Sequence, residues 1–166
     1  MNKKEKPDNN NIGNAGEYFI ASVLSSRGYI TTITLGRAEA YDIIAIRPDG
    51  KTIKIQVKTA WYDNKVFRLS PKDETDKKTE FYYAFVTLKE NKEPRDYYIV
   101  PSDIVSKSVR EAHENWLKTP GKTGQKHNDN SIRLFRSKPS KYCPKWFKQE
   151  LIDSYKNNIH ALEEIK

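Results

Sequence analysis

The segment RPDGK (47–51) stands between two runs rich in β-branched residues, YDIIAI (41–46) and TIKIQVK (52–58). Proline presets φ, aspartate bonds its own backbone, and glycine takes positive φ at no steric cost. The two runs are therefore expected to fold back on each other as an antiparallel hairpin. Its register follows from the loop. With Pro48-Asp49-Gly50 as the loop, Arg47 faces Lys51, Ile46 faces Thr52, Ile44 faces Lys54 and Asp42 faces Gln56. A two- or four-residue loop would turn Asp42 to the wrong face.

In that register the β-carbons of Asp42 and Gln56 lie about 4.5–5.5 Å apart. Strand side chains alternate with period two, so Lys58 shares their face. Ile53, Ile55 and Val57 line the opposite face, and Lys54, Gln56 and Lys58 line this one. A hard cation such as Mg²⁺ takes oxygen ligands and keeps several waters. Asp42 offers a carboxylate, Gln56 an amide oxygen and Val57 a backbone carbonyl. Lys58, a compact cation beside them, suits orienting or deprotonating a water, or stabilising charge on a phosphate. The grouping has the chemistry of metal-assisted phosphodiester hydrolysis. The plainer reading is a cross-strand polar cluster with an Asp–Lys ion pair.

Around this hairpin the chain reads as a mixed sheet with helices packed on it, an α/β or α+β domain. A helix is expected over Ala15–Arg27, with Asn14 as N-cap and Gly28 as its stop. Its inward stripe includes Ile20, Ala21 and Leu24, and Glu17 sits at the N-terminal end of that stripe. Glu17 three residues after Asn14 also reads as a variant capping box. YITTITL, VFRLS, FYYAFVTLK, DYYIVP and SIRLFR are further strand-like segments. The stretch from Ser102, the expected cap, to Lys118 looks helical. So does the tail from Lys145 to Ile165. Residues 1–12 are polar and are expected to be a disordered tail, leaving 13–166 as one domain.

The chain has 166 residues, a net charge of +8 and a pI near 9.4. That balance favours nucleic acid or another anionic surface as partner. Residues 101–166 carry 13 Lys and Arg against 8 Asp and Glu, so the C-terminal third is the better backbone-binding candidate. A single cysteine, Cys143, excludes an intrachain disulfide and fits a reducing cytoplasm. The charged start has no apolar core after it, so no signal peptide and no membrane span are expected. His113, His127 and His160 show no ligand spacing, and Cys143 has no zinc partner. GKTGQK lacks the order of a phosphate-binding loop.

Asp42, thirteen residues, then Gln56-Val57-Lys58, preceded by the helix GNAGEYFIASVLSSRGY, resembles the PD-(D/E)XK nuclease superfamily with its restriction-endonuclease-like fold. It looks like a QxK variant near the branch of archaeal Holliday-junction resolvases, and YYIVPSDIV is similar to small bacterial members. The resemblance implies an endonuclease cutting DNA with Mg²⁺ or Mn²⁺. It implies that Asp42 and Gln56 hold the metal with the Val57 carbonyl, that Glu17 joins them from the helix, and that Lys58 is the catalytic lysine. Gln56 stands where most members have an acid, which removes one negative charge. Arg37 and Lys54 are candidates for touching substrate. Nucleases of this fold often form homodimers to cut two strands. The superfamily's helix between the third and fourth strands has only PKDETDKKTE to match it here. Two other readings remain open at this stage: a degenerate, purely nucleic-acid-binding module of the same fold, and a protein-interaction module such as an immunity or regulatory partner.

Overall fold

The computed structural model describes residues 6–34, 41–62, 64–77, 79–89 and 94–163. Its elements are α1 (Asn9–Ser25), β1 (Ile30–Ile33), β2 (Ile43–Ile46), β3 (Thr52–Ala60), β4 (Val66–Leu69), β5 (Phe81–Leu88), β6 (Pro94–Pro101), α2 (Ser102–Lys118), β7 (Arg133–Arg136) and α3 (Gln149–Ser154). Short 3-10 turns lie at Pro71–Glu74 and His160–Leu162. Five strands form one sheet in the order β1-β2-β3-β5-β6. Only β3 and β5 run parallel, with Lys58 beside Phe85. β4 leaves the sheet and pairs with β7 instead, as a separate antiparallel ribbon.

The hairpin register is the one expected. Ile44 pairs with Lys54 and Ile46 with Thr52. The Arg47 N–H donates to the Lys51 carbonyl at 2.8 Å, and the Gly50 N–H donates back to Arg47 at 2.9 Å. Gly50 takes φ +86°, the left-handed conformation that a three-residue hairpin loop reserves for glycine.

Each face of the sheet carries its own core. On the first, Ile12, Ile20 and Leu24 of α1 pack on Ile43, Ile53, Ile55, Val57, Ala84 and Val86. On the second, the ribbon and α2 cover β5 and β6 with aromatic side chains. Phe135 stacks on Phe85 at 3.9 Å, and Phe67 lies 4.9 Å from the same ring. All eight residues of β5 are buried, because it lies between both cores.

Helix α1 begins at Asn9, not Ala15, so Asn9–Ile12 leave the expected tail. Asp8 is the N-cap, its Oδ1 accepting from the Asn10 and Asn11 N–H groups at 2.7 and 3.1 Å. Ile12 extends the apolar stripe and is only 5% exposed, which draws the asparagine-rich turn into the helix. Ser102 does not cap α2: its hydroxyl donates to Asp76 Oδ1 at 2.6 Å, and the N-cap is Pro101. The expected tail helix shrinks to Gln149–Ser154. Beyond it Asn157 takes φ +50°, its N–H donates to the Tyr97 carbonyl at 2.8 Å, and its Oδ1 accepts from Tyr97 N–H at 3.0 Å. Bonding to the edge of β6 wins over continuing the helix. In place of a helix between β3 and β5 stand β4 and the 3-10 turn.

Candidate active site

The β2–β3 ladder stops at the pair Ile43–Ile55, while β3 continues to Ala60. Asp42 stands at that stop. Its N–H donates to the Ile55 carbonyl at 2.9 Å, and its carbonyl accepts from Thr34 N–H at 2.9 Å. Hydrogen-bonded pairs alternate along an antiparallel ladder. From Arg47–Lys51 onward the alternation makes Val57 the next residue of β3 to bond across. Its N–H donates instead to the side chain of Asp42, Oδ2, at 2.7 Å. The same oxygen accepts from Gln56 Nε2 at 3.1 Å. The carboxylate therefore supplies the last rung of the ladder and is held by two donors. Gln56 spends an amide hydrogen on Asp42, which leaves Oε1 as its acceptor.

Glu17 lies on α1, which packs on the other side of the sheet, and its carboxyl feels the charges of Asp42 and Lys58. It lies in the middle of α1, nine residues after the cap at Asp8, so neither the capping box nor a first-turn position explains it. The preceding residue, Gly16, is buried against β3: a β-carbon there would collide with Thr59 Oγ1. This close approach brings α1 onto β3 where β2 has already ended. Burial, and then the Asp42 carboxylate, push the Glu17 carboxyl above its usual range, while the Lys58 ammonium pulls it back down. Glu17 thus feels the charges of both Asp42 and Lys58. Gly16 and Thr59 were not singled out in the sequence. A glycine inside an otherwise strong helix pattern was the available signal.

Lys58 and Gln56 are half-buried on the second face, and Lys54 is exposed. Lys54 Nζ sits 4.9 Å from the Tyr41 ring centroid. The two border a cleft of about 420 Å³ that also touches Lys77 and Phe81. Arg37 lies outside the described residues.

Among the described residues no three His, Cys, Asp or Glu side chains cluster as a metal site. The oxygens on hand are those of the Asp42 carboxylate, the Gln56 amide and the Val57 carbonyl, which leaves the strand on the same side as the Val57 N–H, with the Glu17 carboxylate within electrostatic range. An all-oxygen set suits a hard divalent cation. The mutual repulsion of Glu17 and Asp42 is what such a cation would relieve.

The sequence model of a family described as PD-(D/E)XK endonuclease matches residues 7–136, from the turn before α1 to the end of β7. The chain belongs to this endonuclease family. Its fold is also that of a solved structure, a bacterial homing endonuclease, I-Ssp6803I, which it matches with a TM-score of 0.53 at 15% identity. That match covers 95% of this chain and 93% of the other, and it establishes the restriction-endonuclease-like fold. No curated protein matches. No described helix is long and apolar enough to cross a membrane.

Proposed function

We propose that this protein is a divalent-metal-dependent DNA endonuclease whose site is Asp42, Gln56, Lys58 and Glu17. The observation that carries the reading is the strand-end clamp. A carboxylate is fixed by Val57 N–H and Gln56 Nε2, one residue pair from a lysine and within electrostatic reach of a second carboxylate. Asp42 and Glu17, with Gln56 Oε1 and the Val57 carbonyl, would hold Mg²⁺ or Mn²⁺. When bound, such an ion supplies positive charge for the phosphate and makes a water more acidic.

The chain's own groups divide the remaining work. The two donors on Asp42 keep its carboxylate from rotating away. Lys58 carries three N–H donors on a compact charge, suited to orient the attacking water and to stabilise the charge that grows on the phosphate. The water oxygen bonds to phosphorus, one P–O ester bond breaks, and the leaving oxygen ends with a proton. Lys54, exposed on the same face, is placed for a neighbouring backbone phosphate.

Supercoiled plasmid incubated with Mg²⁺ or Mn²⁺ should be nicked, EDTA should stop the reaction, and Lys58→Ala should abolish it. Wild type and Lys58→Ala equally inert on plasmid, linear and branched DNA would sink the proposal. One observation favours a second reading. The Gln56–Asp42 hydrogen bond satisfies the acid without any cation, as a binding module with a lapsed site would. That reading expects salt-sensitive DNA binding, no metal effect, and no calorimetric Mn²⁺ binding that disappears in Asp42→Ala.

A further inference from the structure

The outer face of the β4–β7 ribbon carries two arginines. Phe67 and Phe135 point inward, so Val66, Arg68, Leu134 and Arg136 point outward. Arg68 and Arg136 are diagonal neighbours, about 7–8 Å apart in such a pairing. Both line a cavity of about 310 Å³ between the ribbon and α2. Among the described residues neither guanidinium makes an ion pair or a side-chain hydrogen bond. The contrast with Arg133, one strand position away, is direct: it is buried and tied to Glu74, Asp129 and the Asn130 carbonyl.

Two unpaired like charges in one cavity repel unless an anion sits between them. The walls beside them are apolar and aromatic: Val109, Trp116, Ile132 and Leu134. Trp116 is held in place by His127, stacked at 4.2 Å, and Ile132 is 40% exposed, unusual for its size. A flat apolar wall beside a pair of guanidiniums fits one chemical class, a nucleotide, with its phosphate on the arginines and its base on the wall. The ribbon is also contiguous with the candidate active site. It covers Phe85, and Phe85 is the parallel partner of Lys58.

We infer that the groove between α2 and the β4–β7 ribbon binds one unpaired nucleotide of a nucleic-acid strand. The inference rests on the nuclease reading for the source of that nucleotide. A duplex takes this groove only where a nucleotide is extruded, so the groove selects DNA with a bulge or a flap over DNA that is fully paired.

The test is fluorescence anisotropy in EDTA with three labelled duplexes: fully paired, carrying one extruded nucleotide, and carrying an abasic residue at that position. The expected result is about tenfold tighter binding of the extruded nucleotide than of either other probe, as stacking of one base warrants. Arg68→Ala with Arg136→Ala should erase the preference. Arg27→Ala with Lys51→Ala, exposed and outside the groove, should keep it and controls for lost charge. Quenching of Trp116 fluorescence, absent in Trp116→Phe, should accompany binding. Equal affinity for all three probes overturns the inference, as does a preference that survives the arginine pair. Equal gains for the extruded and abasic probes also overturn it, since the groove would then hold backbone phosphate alone. Plasmid nicking with Mn²⁺ reads the nuclease proposal separately. Nicking without the preference sinks only the nucleotide pocket, and the preference without nicking sinks only the nuclease.

Discussion

The two faces of the sheet are built differently. On the first, one helix lies against aliphatic side chains, and Gly16 lets its backbone close onto Thr59. On the second, an aromatic roof made by the β4–β7 ribbon and α2 covers β5 and β6. Over β2 and β3 that face stays partly exposed: Ile46 is 37% exposed, and Lys54 is open to solvent. Strand β3 belongs to both regimes. Its Ile53 and Ile55 are fully buried on one side, while Lys54, Gln56 and Lys58 occupy the other. The proposed site lies where the roof ends and β2 stops. There Glu17, on the closed face, feels the charges of Asp42 and Lys58.

If the roof is structural and the open face is chemical, substitutions should separate cleanly. Phe135→Ala removes the ring stacked on Phe85 and should cost about 3–5 kcal/mol in urea unfolding. Lys58→Ala should lower nicking by about 10²-fold or more and leave the unfolding midpoint within about 0.5 kcal/mol. A Lys58→Ala protein that loses stability in proportion to activity would collapse the distinction.

The closed face can be stressed at its tightest point. Gly16→Ala drives a methyl into Thr59 Oγ1 and should destabilise by about 1–3 kcal/mol, moving Glu17 and reducing nicking as well. Adding Thr59→Ala removes the clash and should restore most of both. Stability that recovers without activity would show that Glu17 is not positioned through this contact.

Beneath the roof, Asp73 accepts from Tyr83 OH at 2.6 Å, from the Ser70 N–H at 2.8 Å and from Ser70 Oγ at 2.9 Å. Burial alone would raise its carboxyl. The hydrogen bonds from Tyr83 and Ser70, with Lys77 nearby, outweigh burial and hold it below the usual range. A folded-state value below the unfolded one contributes stability above the normal carboxylate range. That stability disappears as pH falls through the depressed value. Tyr83→Phe should therefore cost about 1 kcal/mol near neutrality, and its melting temperature should fall less steeply in acid than the wild type's. Smallest of all, Lys54→Ala should weaken DNA binding alike for every sequence and lower the salt slope by about one. A change in sequence preference would mean that Lys54 reads bases.

The pairing of Asp42 with Gln56 in the candidate site was legible because it depends on one local signal. RPDG fixes the loop, the loop fixes the register, and the register brings Asp42 beside Gln56. The path of β4 was not legible. Its four residues pair with β7 across more than sixty intervening residues, and a short apolar run carries no record of such a distant partner. Two helix ends were misread for related reasons. The start of α1 looked like a tail because its asparagines are polar, while Ile12, which anchors it, is a single buried residue. The tail looked helical because its apolar spacing continues past Ser154, but Asn157 finds a strand edge to bond. Glu17 is a candidate through resemblance to a family.

Asp42 closes the β2–β3 ladder with its side chain, so whatever the carboxylate binds is felt by a backbone amide. A cation drawn to Asp42 competes directly with the Val57 N–H. The Val57 amide resonance, and its rate of exchange with solvent, should report loading of the site without any substrate being turned over. The strand edge would then double as the gauge of the proposed site.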